Sequence, residues 1–388
     1  MIDTETITDI SSKRQIGKII GSKPGPTLIF TAGIHGNEPS GVIALEHVFD
    51  SLLSLQGEIT GTVIGLRGNI RALDLGVRFI DEDLNRIWSH ERLQNPAKSN
   101  SSEASEQMEL WQEIQEILTT EKGPYYFFDL HTTSGKTIPF LTVNDSLLNR
   151  RFTKNYPLPI VLGIEEFLNG PILSYINELG YVAFGFEAGQ HNDHLSTERH
   201  IDFIYTTLDI TGVLAKNDTG KHRASLKALG KNQAMYYEIF AYLPVPFNSN
   251  FEMMPGFINF QHLEKGKTLA IMNGDEITSP SRAQIFMPLY QQQGDDGFFL
   301  VRPIPLFFLW LSKFVRKWCK LLTILPGVHS HPTNPNEILV NTNVARFFPK
   351  QIFHLFGYRA RQLNGSRYSM QNREQASKTE EYKNEPWY

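Results

Sequence analysis

Residues 27–49 read TLIFTAGIHGNEPSGVIALEHVF. An apolar run leads into a glycine-framed GIHGNE, and a pattern of helical spacing follows. His35 and Glu38 therefore stand three residues apart at the predicted end of a buried strand. Both side chains are costly to bury without partners. Gly33 and Gly36 let the backbone turn tightly around them. Open α/β sheets form their ligand sites at the carboxyl ends of strands, so this pair is a candidate for such a site.

Further apolar runs lie at 61–68, 125–131, 137–143, 159–163 and 181–189. Most lack a clean polar alternation, which suits strands covered on both faces. Helical patterns lie between them. In ASEQMELWQEIQEILTTE, Leu110, Trp111, Ile114, Ile117 and Leu118 fall largely on one face. The layout predicts an α/β fold with a mostly parallel or mixed sheet. Around residue 215 the character changes. LAKNDTGKHRASLKALGKNQ reads as a basic, polar connector, and shorter strand-like pieces punctuated by Gly and Pro come after it. The expected division is an α/β catalytic domain over 1–215 and a smaller β-rich domain over 216–302. An amphipathic helix with a C-terminal extension would occupy 303–365, and a charged, apolar-poor tail predicted to be disordered 366–388. QQQGDDG at 291–297 reads as a polar loop.

With 41% apolar and 20% charged residues, the chain of 388 has the composition of an ordinary globular protein. A formal charge of −4 and a pI near 6.3 give no reason to expect nucleic acid as a partner. Cys319 is the single cysteine, so a metal site must draw on His, Asp and Glu. The acidic start, MIDTETITDI, lacks the basic and apolar regions of a signal peptide, and a cytoplasmic location is expected.

Three predicted strand ends carry unusual polar residues. The first holds His35 and Glu38, the second Asp129 and His131 in FFDLHTTSG, and the third Glu187 in VAFGFEAGQ. Catalytic zinc sites commonly take three protein ligands. His35, Glu38 and His131 would serve, leaving Glu187 free as a base. Asp129 reads equally well as a support for His131 and as part of the strand. A second cluster, RGNIRALDLGVRFIDEDLNRIW at 67–88, sets Arg78 and Arg86 around Asp81, Glu82 and Asp83. Generic charge runs are solvated loops. Here Leu84, Ile87 and Trp88 ask for burial, which would hold Asn85 and Arg86 at a cleft edge. Arginine there suits bidentate recognition of a carboxylate.

GIHGNE, VRFIDEDLNR, DLHTTSG and FEAGQ, in this order, resemble the succinylglutamate desuccinylase/aspartoacylase family, over roughly residues 14–205 and loosely to about 302. The resemblance implies a zinc-carboxypeptidase-like mixed sheet with helices on both faces. It implies one Zn(II) per chain on His35, Glu38 and His131, Glu187 as general base, and Arg78 as the group that polarises the scissile carbonyl. Asn85 and Arg86 are implied to grip the substrate's α-carboxylate. The implied reaction is removal of an acyl group from an N-acyl amino acid or related small carboxylate. A carboxypeptidase-like peptide hydrolase and a non-catalytic zinc-bearing binding protein stand as alternatives.

The pattern breaks in one place. Family members resembling aspartoacylase carry an arginine about ten residues before the general base, for the acyl group's own carboxylate. Here that count reaches Asn177, and there is no arginine from 152 to 198. Tyr290 has no secure match to the family's tyrosine and is left out of the site. Downstream, LFFLWLSKFVRKWCKLLTIL at 306–325 has apolar residues at helical spacing, with Lys313, Arg316, Lys317 and Lys320 interrupting them. The charges exclude a membrane span. Packing on the chain's own domain is the favoured expectation, and attachment to a membrane surface the other. His329 and His331, in GVHSHPT, read as loop residues.

Overall fold

The computed structural model describes residues 13–95, 99–231, 233, 235–334, 337–341, 343–344, 353, 355–364 and 367–388. The acidic N-terminal stretch and residues 96–98 of the polar loop before 107 lie outside them.

In the first half the strands are β1 (Gln15–Ile20), β2 (Lys23–Ala32), β3 (Thr60–Arg67), β4 (Tyr125–Thr133), β5 (Phe140–Val143), β6 (Ile160–Leu162) and β7 (Val182–Gln190). The six predicted runs are present as β2–β7. Then come β8 (Tyr236–Pro244), β9 (Phe251–Met253), β10 (His262–Leu263), β11 (Thr268–Met272), β12 (Asp275–Thr278), β13 (Ala283–Phe286) and β14 (Asp296–Pro303). One mixed sheet runs β1-β3-β2-β4-β7-β5-β6-β8-β14-β13-β10. Its centre, β3-β2-β4-β7, is parallel, so these strands end on one edge.

The apolar runs are continuous because both faces are covered. Leu28, Phe30 and Phe128 pack in a core with the helices Ser40–Leu53 and Leu195–Ile210. Ile29, Ile64 and Phe127 point the other way, against the helices Ser102–Thr120 and Ile172–Glu178. Alternate residues of one strand thus serve two cores, as the pleat requires. The β-rich residues have a small core of their own around Leu269, Ile285 and Phe298. They also extend the central sheet, because β8 pairs parallel to β6 and β14 antiparallel to β8. The segment expected to be a connector after 215 is instead a helix, Lys216–Gly230, with Leu226 fully buried.

Two expectations fail in the C-terminal part. First, residues 367–388 are not a disordered tail. Strands β15 (Val328–Ser330), β16 (Glu337–Asn341), β17 (Tyr358–Asn364) and β18 (Arg367–Asn372) form a sheet in the order β15-β16-β18-β17. Beyond it the chain returns to the main core, where Tyr382 and Trp387 are buried against Tyr126. The Trp387 indole donates to the Tyr126 hydroxyl at 2.8 Å. A few aromatic residues placed on a large core outweigh a polar composition.

Second, the amphipathic segment does not bury its apolar face. It forms the helix Leu306–Val315 and a 3₁₀ stretch, Arg316–Ile324. Leu309, Ser312 and Arg316 turn inward, while Phe307, Trp310, Phe314 and Trp318 are 51–67% exposed. The inward side is chosen by charge. The buried Arg316 guanidinium donates to Asp145 Oδ2 at 2.7 Å and also to Glu374. Arg150 and Arg373 share the same carboxylate. Burial pushes the Asp145 carboxyl up, but Arg150, Arg316 and Arg373 hold it far below the usual carboxylate range. Among the described residues, no helix is long and apolar enough to cross a membrane.

Candidate active site and metal centre

Parallel β4 and β7 put His131 directly opposite Glu187 in the register. β2 ends beside them, with Ala32 opposite Leu130. The turn after β2 carries His35 and Glu38 to the same edge. Gly33 adopts φ +70° there, in the left-handed region that favours glycine. At Gly36 a Cβ would collide with the backbone of Ala72 and Leu73, so only glycine lets the turn lie on the 70–75 helix. The Gly36 N–H donates to the Arg78 carbonyl at 3.2 Å, which ties this turn to the charged segment.

The three side chains converge. One ligand atom each from His35, Glu38 and His131 lies within 4.8 Å of the others, and all three residues are buried. Both Nδ1 atoms meet the glutamate, His35 at 2.8 Å from Oε1 and His131 at 3.2 Å from Oε2. The second nitrogen of each ring meets another carboxylate. His131 Nε2 is 2.6 Å from Asp129 Oδ2, and His35 Nε2 is 3.2 Å from Asp83 Oδ1. A carboxylate behind an imidazole fixes the ring and its tautomer and raises its basicity, the usual arrangement behind metal-bound histidine. The Thr132 N–H donates to Glu38 Oε2 at 2.8 Å.

Charge decides whether a cation fits. Four carboxylates, of Glu38, Asp83, Asp129 and Glu187, surround two imidazoles and the Arg78 guanidinium. Burial pushes the Glu38 carboxyl up, yet the two rings hold it well below its ordinary value. Burial pushes His131 down, yet Asp129 and Glu38 raise it well above its ordinary value. The donor cluster thus draws positive charge to the place where His35 Nδ1, Glu38 and His131 Nδ1 meet. Two imidazoles and one carboxylate suit zinc, and the residues fit such an ion.

Glu187 is set apart from this cluster. Its Oε2 is buried without a hydrogen-bond partner. Burial, reinforced by Glu38 and Asp129 against the opposing pull of His131, pushes its carboxyl up to about 8. Arg78 Nη2 is 2.9 Å from Asp83 Oδ2 and its Nη1 3.7 Å from Glu38 Oε1, which aims the guanidinium along the rim of the donor cluster.

Asn85 and Arg86 line the same cavity. Leu84, Ile87 and Trp88 are buried, as their pattern predicts, and anchor the segment. Asp83 caps it by accepting from the Asn85 N–H at 2.8 Å. Asn85 Oδ1 accepts from the Ile172 N–H at 3.0 Å, leaving Nδ2 as its donor end. Arg86 is not an open fork. Its Nη2 lies 2.5 Å from Asp296 Oδ2, and Asp296 Oδ1 accepts from the Tyr242 hydroxyl at 2.6 Å.

Asp296 belongs to the 291–297 stretch, whose composition reads as a plain polar loop. This stretch closes over the site. Gln291 accepts from Asn37 at 3.0 Å and lies 3.0 Å from His191, and Gln293 accepts from the Arg78 N–H at 3.1 Å. His191 lines the cavity and its other nitrogen is 2.8 Å from Thr132 Oγ1. Asp83 was hidden inside an acidic run, and its position just before LNR, a capping position, was the available clue. His191 follows FEAGQ directly. Tyr290 is turned away, its hydroxyl donating to the Met254 carbonyl at 2.7 Å.

Asn177, ten residues before Glu187, is engaged by Asn149 and by the Leu173 and Ala183 carbonyls and does not line the cavity. Arg150 is held by Asp145, Arg151 stacks on Tyr388, and Arg199 is held by Asp193. Among the described lining residues, Arg78 and Arg86 are the only arginines. Ile164, Leu168, Leu173, Phe184 and Phe299 give the cavity an apolar side, with Thr142, Asn144 and Ser174 among its polar lining.

Residues 24–203 match the model of the succinylglutamate desuccinylase/aspartoacylase catalytic domain, so the resemblance read from the four motifs holds over that stretch. A succinylglutamate desuccinylase of Pseudoalteromonas atlantica is 29% identical over 112 residues, 28% of this chain and 32% of that protein. An N-acyl-aromatic-L-amino acid amidohydrolase (carboxylate-forming) of Xenopus laevis is 33% identical over 114 residues, 29% of this chain and 36% of that protein. The chain thus spans about a third of the length of these relatives. A crystal structure of succinylglutamate desuccinylase from Vibrio cholerae superposes with a TM-score of 0.53 at 15% identity, covering 72% of this chain and 82% of that one. It shows a shared fold.

Proposed function

We propose that this chain is a zinc-dependent amidohydrolase that removes an uncharged, apolar acyl group from an N-acyl amino acid or a related small carboxylate. The observation that carries the reading is the meeting, in one cavity, of the His35–Glu38–His131 donors with the unpaired carboxylate oxygen of Glu187 and with Arg78. His35, Glu38 and His131 would hold one Zn(II). That ion supplies Lewis acidity toward a carbonyl oxygen and toward water.

The chain's own residues do the rest. Glu187 has a carboxyl whose affinity for a proton is raised by burial. It takes a proton from the attacking water and returns it to the nitrogen of the leaving amine. With an ion held by His35, Glu38 and His131, Glu187 would start the cycle in its base form. Arg78, preorganised by Asp83, donates to the carbonyl oxygen as negative charge gathers on it. Asp129 and Asp83 keep His131 and His35 in the tautomer that presents Nδ1 to the donor cluster. Asn85 and Arg86 orient the amine half of the substrate. The apolar wall of Ile164, Leu168 and Phe299 receives the acyl group.

The test is amine release from a panel of N-acyl amino acids, running from acetyl through succinyl to long aliphatic acyl groups, with peptides that have a free C-terminus alongside. Release by the wild type and not by Glu187→Gln, best with an aliphatic acyl group, is expected. Preference for peptides would replace the reading with a carboxypeptidase. No release from any member, by protein shown to contain zinc, would leave a non-catalytic role.

A further inference from the structure

The helix Leu306–Val315 and the turn after it present a surface that the catalytic reading does not use. Phe307, Phe308, Trp310, Phe314, Trp318 and Ile324 are each at least half exposed. They are not scattered. The Trp310 ring lies 6.0 Å from Phe307 and 4.8 Å from Phe314, so the rings form a continuous aromatic ridge. A contiguous apolar patch of this kind marks a contact site rather than ordinary surface.

The charges around the ridge say what covers it. Lys313 and Lys317 are exposed on the same segment, while Arg316 is turned in and neutralised by Asp145 and Glu374. From residue 297 to residue 336 the sequence contains no Asp or Glu. Lys154, from a neighbouring helix end, adds to the same field, and its ammonium is held below its ordinary value by partial burial and by Arg151 and Lys313. A second copy of this chain seated symmetrically on the ridge would bring these lysines against their own counterparts, with no acid in the segment to offset them. Anionic headgroups above an acyl layer offer the complement to both parts at once. Phe and Trp rings enter the boundary region, and lysine stems reach back to the phosphates.

We infer that residues 306–324 form a peripheral membrane-binding surface that seats this protein on an anionic bilayer. The inference is independent of the catalytic reading. It predicts attachment without a span, since the ridge is one short helix and a turn.

The experiment is co-sedimentation of the full chain with vesicles of phosphatidylcholine alone and of phosphatidylcholine mixed with phosphatidylserine. Binding to the mixed vesicles, weakened by salt, is expected. Trp310→Ser combined with Phe314→Ser should reduce the partition coefficient by at least about tenfold, because two interfacial aromatics are removed. Lys313→Gln combined with Lys317→Gln should reduce it by about twenty-fivefold on anionic vesicles, from about fivefold per cation, and leave the phosphatidylcholine control unchanged. All four side chains are exposed, so the variants should melt with the wild type, and a melting curve checks this. Absence of wild-type binding at low salt overturns the inference. So does binding that survives the aromatic substitutions, or a dimer in sedimentation velocity that those substitutions dissolve.

Discussion

Replacing Asp296 by alanine should tighten the binding of carboxylated substrates. Asp296 meets Arg86 Nη2 at 2.5 Å, and the two side chains are only 18% and 19% exposed. Burial pushes the Arg86 guanidinium down, but Asp83 and Asp296 outweigh it and hold its proton firmly. The positive charge is therefore already answered from the chain's own side. A substrate carboxylate arriving at Arg86 must share the guanidinium with Asp296 or displace it. A hydrogen bond to a charged group contributes about 1.5–3 kcal/mol, which corresponds to roughly 10- to 150-fold in an equilibrium constant. Solvent reaches this pair in part and Asp83 remains in place, so the lower end applies, a fall in KM of about tenfold. kcat should hold, since the contact is made in ground and transition states alike. The assay is steady-state hydrolysis of an N-acyl amino acid and of its C-terminal amide by wild type and Asp296→Ala. KM for the acid should fall and KM for the amide should not. An unchanged or raised KM for the acid would show that Asp296 positions Arg86 rather than competing for it. Equal shifts for acid and amide would show that Arg86 does not read a carboxylate at all.

Four other outcomes can be checked. Glu187→Gln should keep its zinc content and lose about 10²–10⁴ in kcat, measured with the best acyl substrate. Treatment with a chelator should abolish turnover and lower the melting temperature, with zinc restoring both, because removal of the ion leaves four carboxylates crowded around the site. In the acyl series kcat/KM should rise by about fourfold per added methylene until the cavity is full, from about 0.8 kcal/mol per CH₂, and succinyl should fall below the uncharged chain of equal length. Asp145→Ala should destabilise the chain by about 3–5 kcal/mol in urea melts, because it removes the one carboxylate that the buried Arg150, Arg316 and Arg373 share. The Asp145 carboxyl is held far below its ordinary value, so its contribution is complete above the ordinary carboxylate range, near about 3.9. It is lost only as pH falls from there toward the depressed folded value. The gap between wild type and variant should thus persist at mildly acidic pH and close in strong acid.

The parts of this molecule that could be read in advance are those whose cause is local. β2 to β7 announce themselves because a strand covered on both faces must be apolar at nearly every position, and their order along the chain fixes which ends carry His131 and Glu187. The DLNRIW segment shows its anchors for the same reason. What could not be read depends on distant partners. Asp83 looks like one acid among three until His35, 48 residues away in the chain, meets it. Gln291, Gln293 and Asp296 make an ordinary hydrophilic loop until β14 joins the sheet and brings them over the cavity. The tail is polar on average, yet its Tyr382 and Trp387 find a core built more than 250 residues earlier, at Tyr126. The amphipathic segment misleads in the opposite sense. Its periodicity states that it has two faces, and only the ion cluster at Asp145 decides which of them turns inward.

The missing acyl-end arginine and the exposed aromatic ridge bear on each other through one short segment. Ile164 and Leu168 line the active-site cavity. Gly163 and Phe167, interleaved with them, line a second cavity together with Phe308 and Leu309 of the ridge helix. Residues 163–168 therefore stand between the acyl end of the site and the proposed membrane surface. A site that must grip a carboxylated acyl group needs a cation at that end, and such substrates are met in water. A site with an apolar wall gains with each methylene it buries, and amides with longer chains concentrate in bilayers rather than in solution. An enzyme seated on the bilayer through Trp310 and Phe314 would meet such a substrate where it is abundant. On the proposed reading, the absence of an arginine at 177 and the outward turn of the ridge would answer to one physical property, an apolar acyl group, and the acyl series and the vesicle experiment examine it from opposite ends.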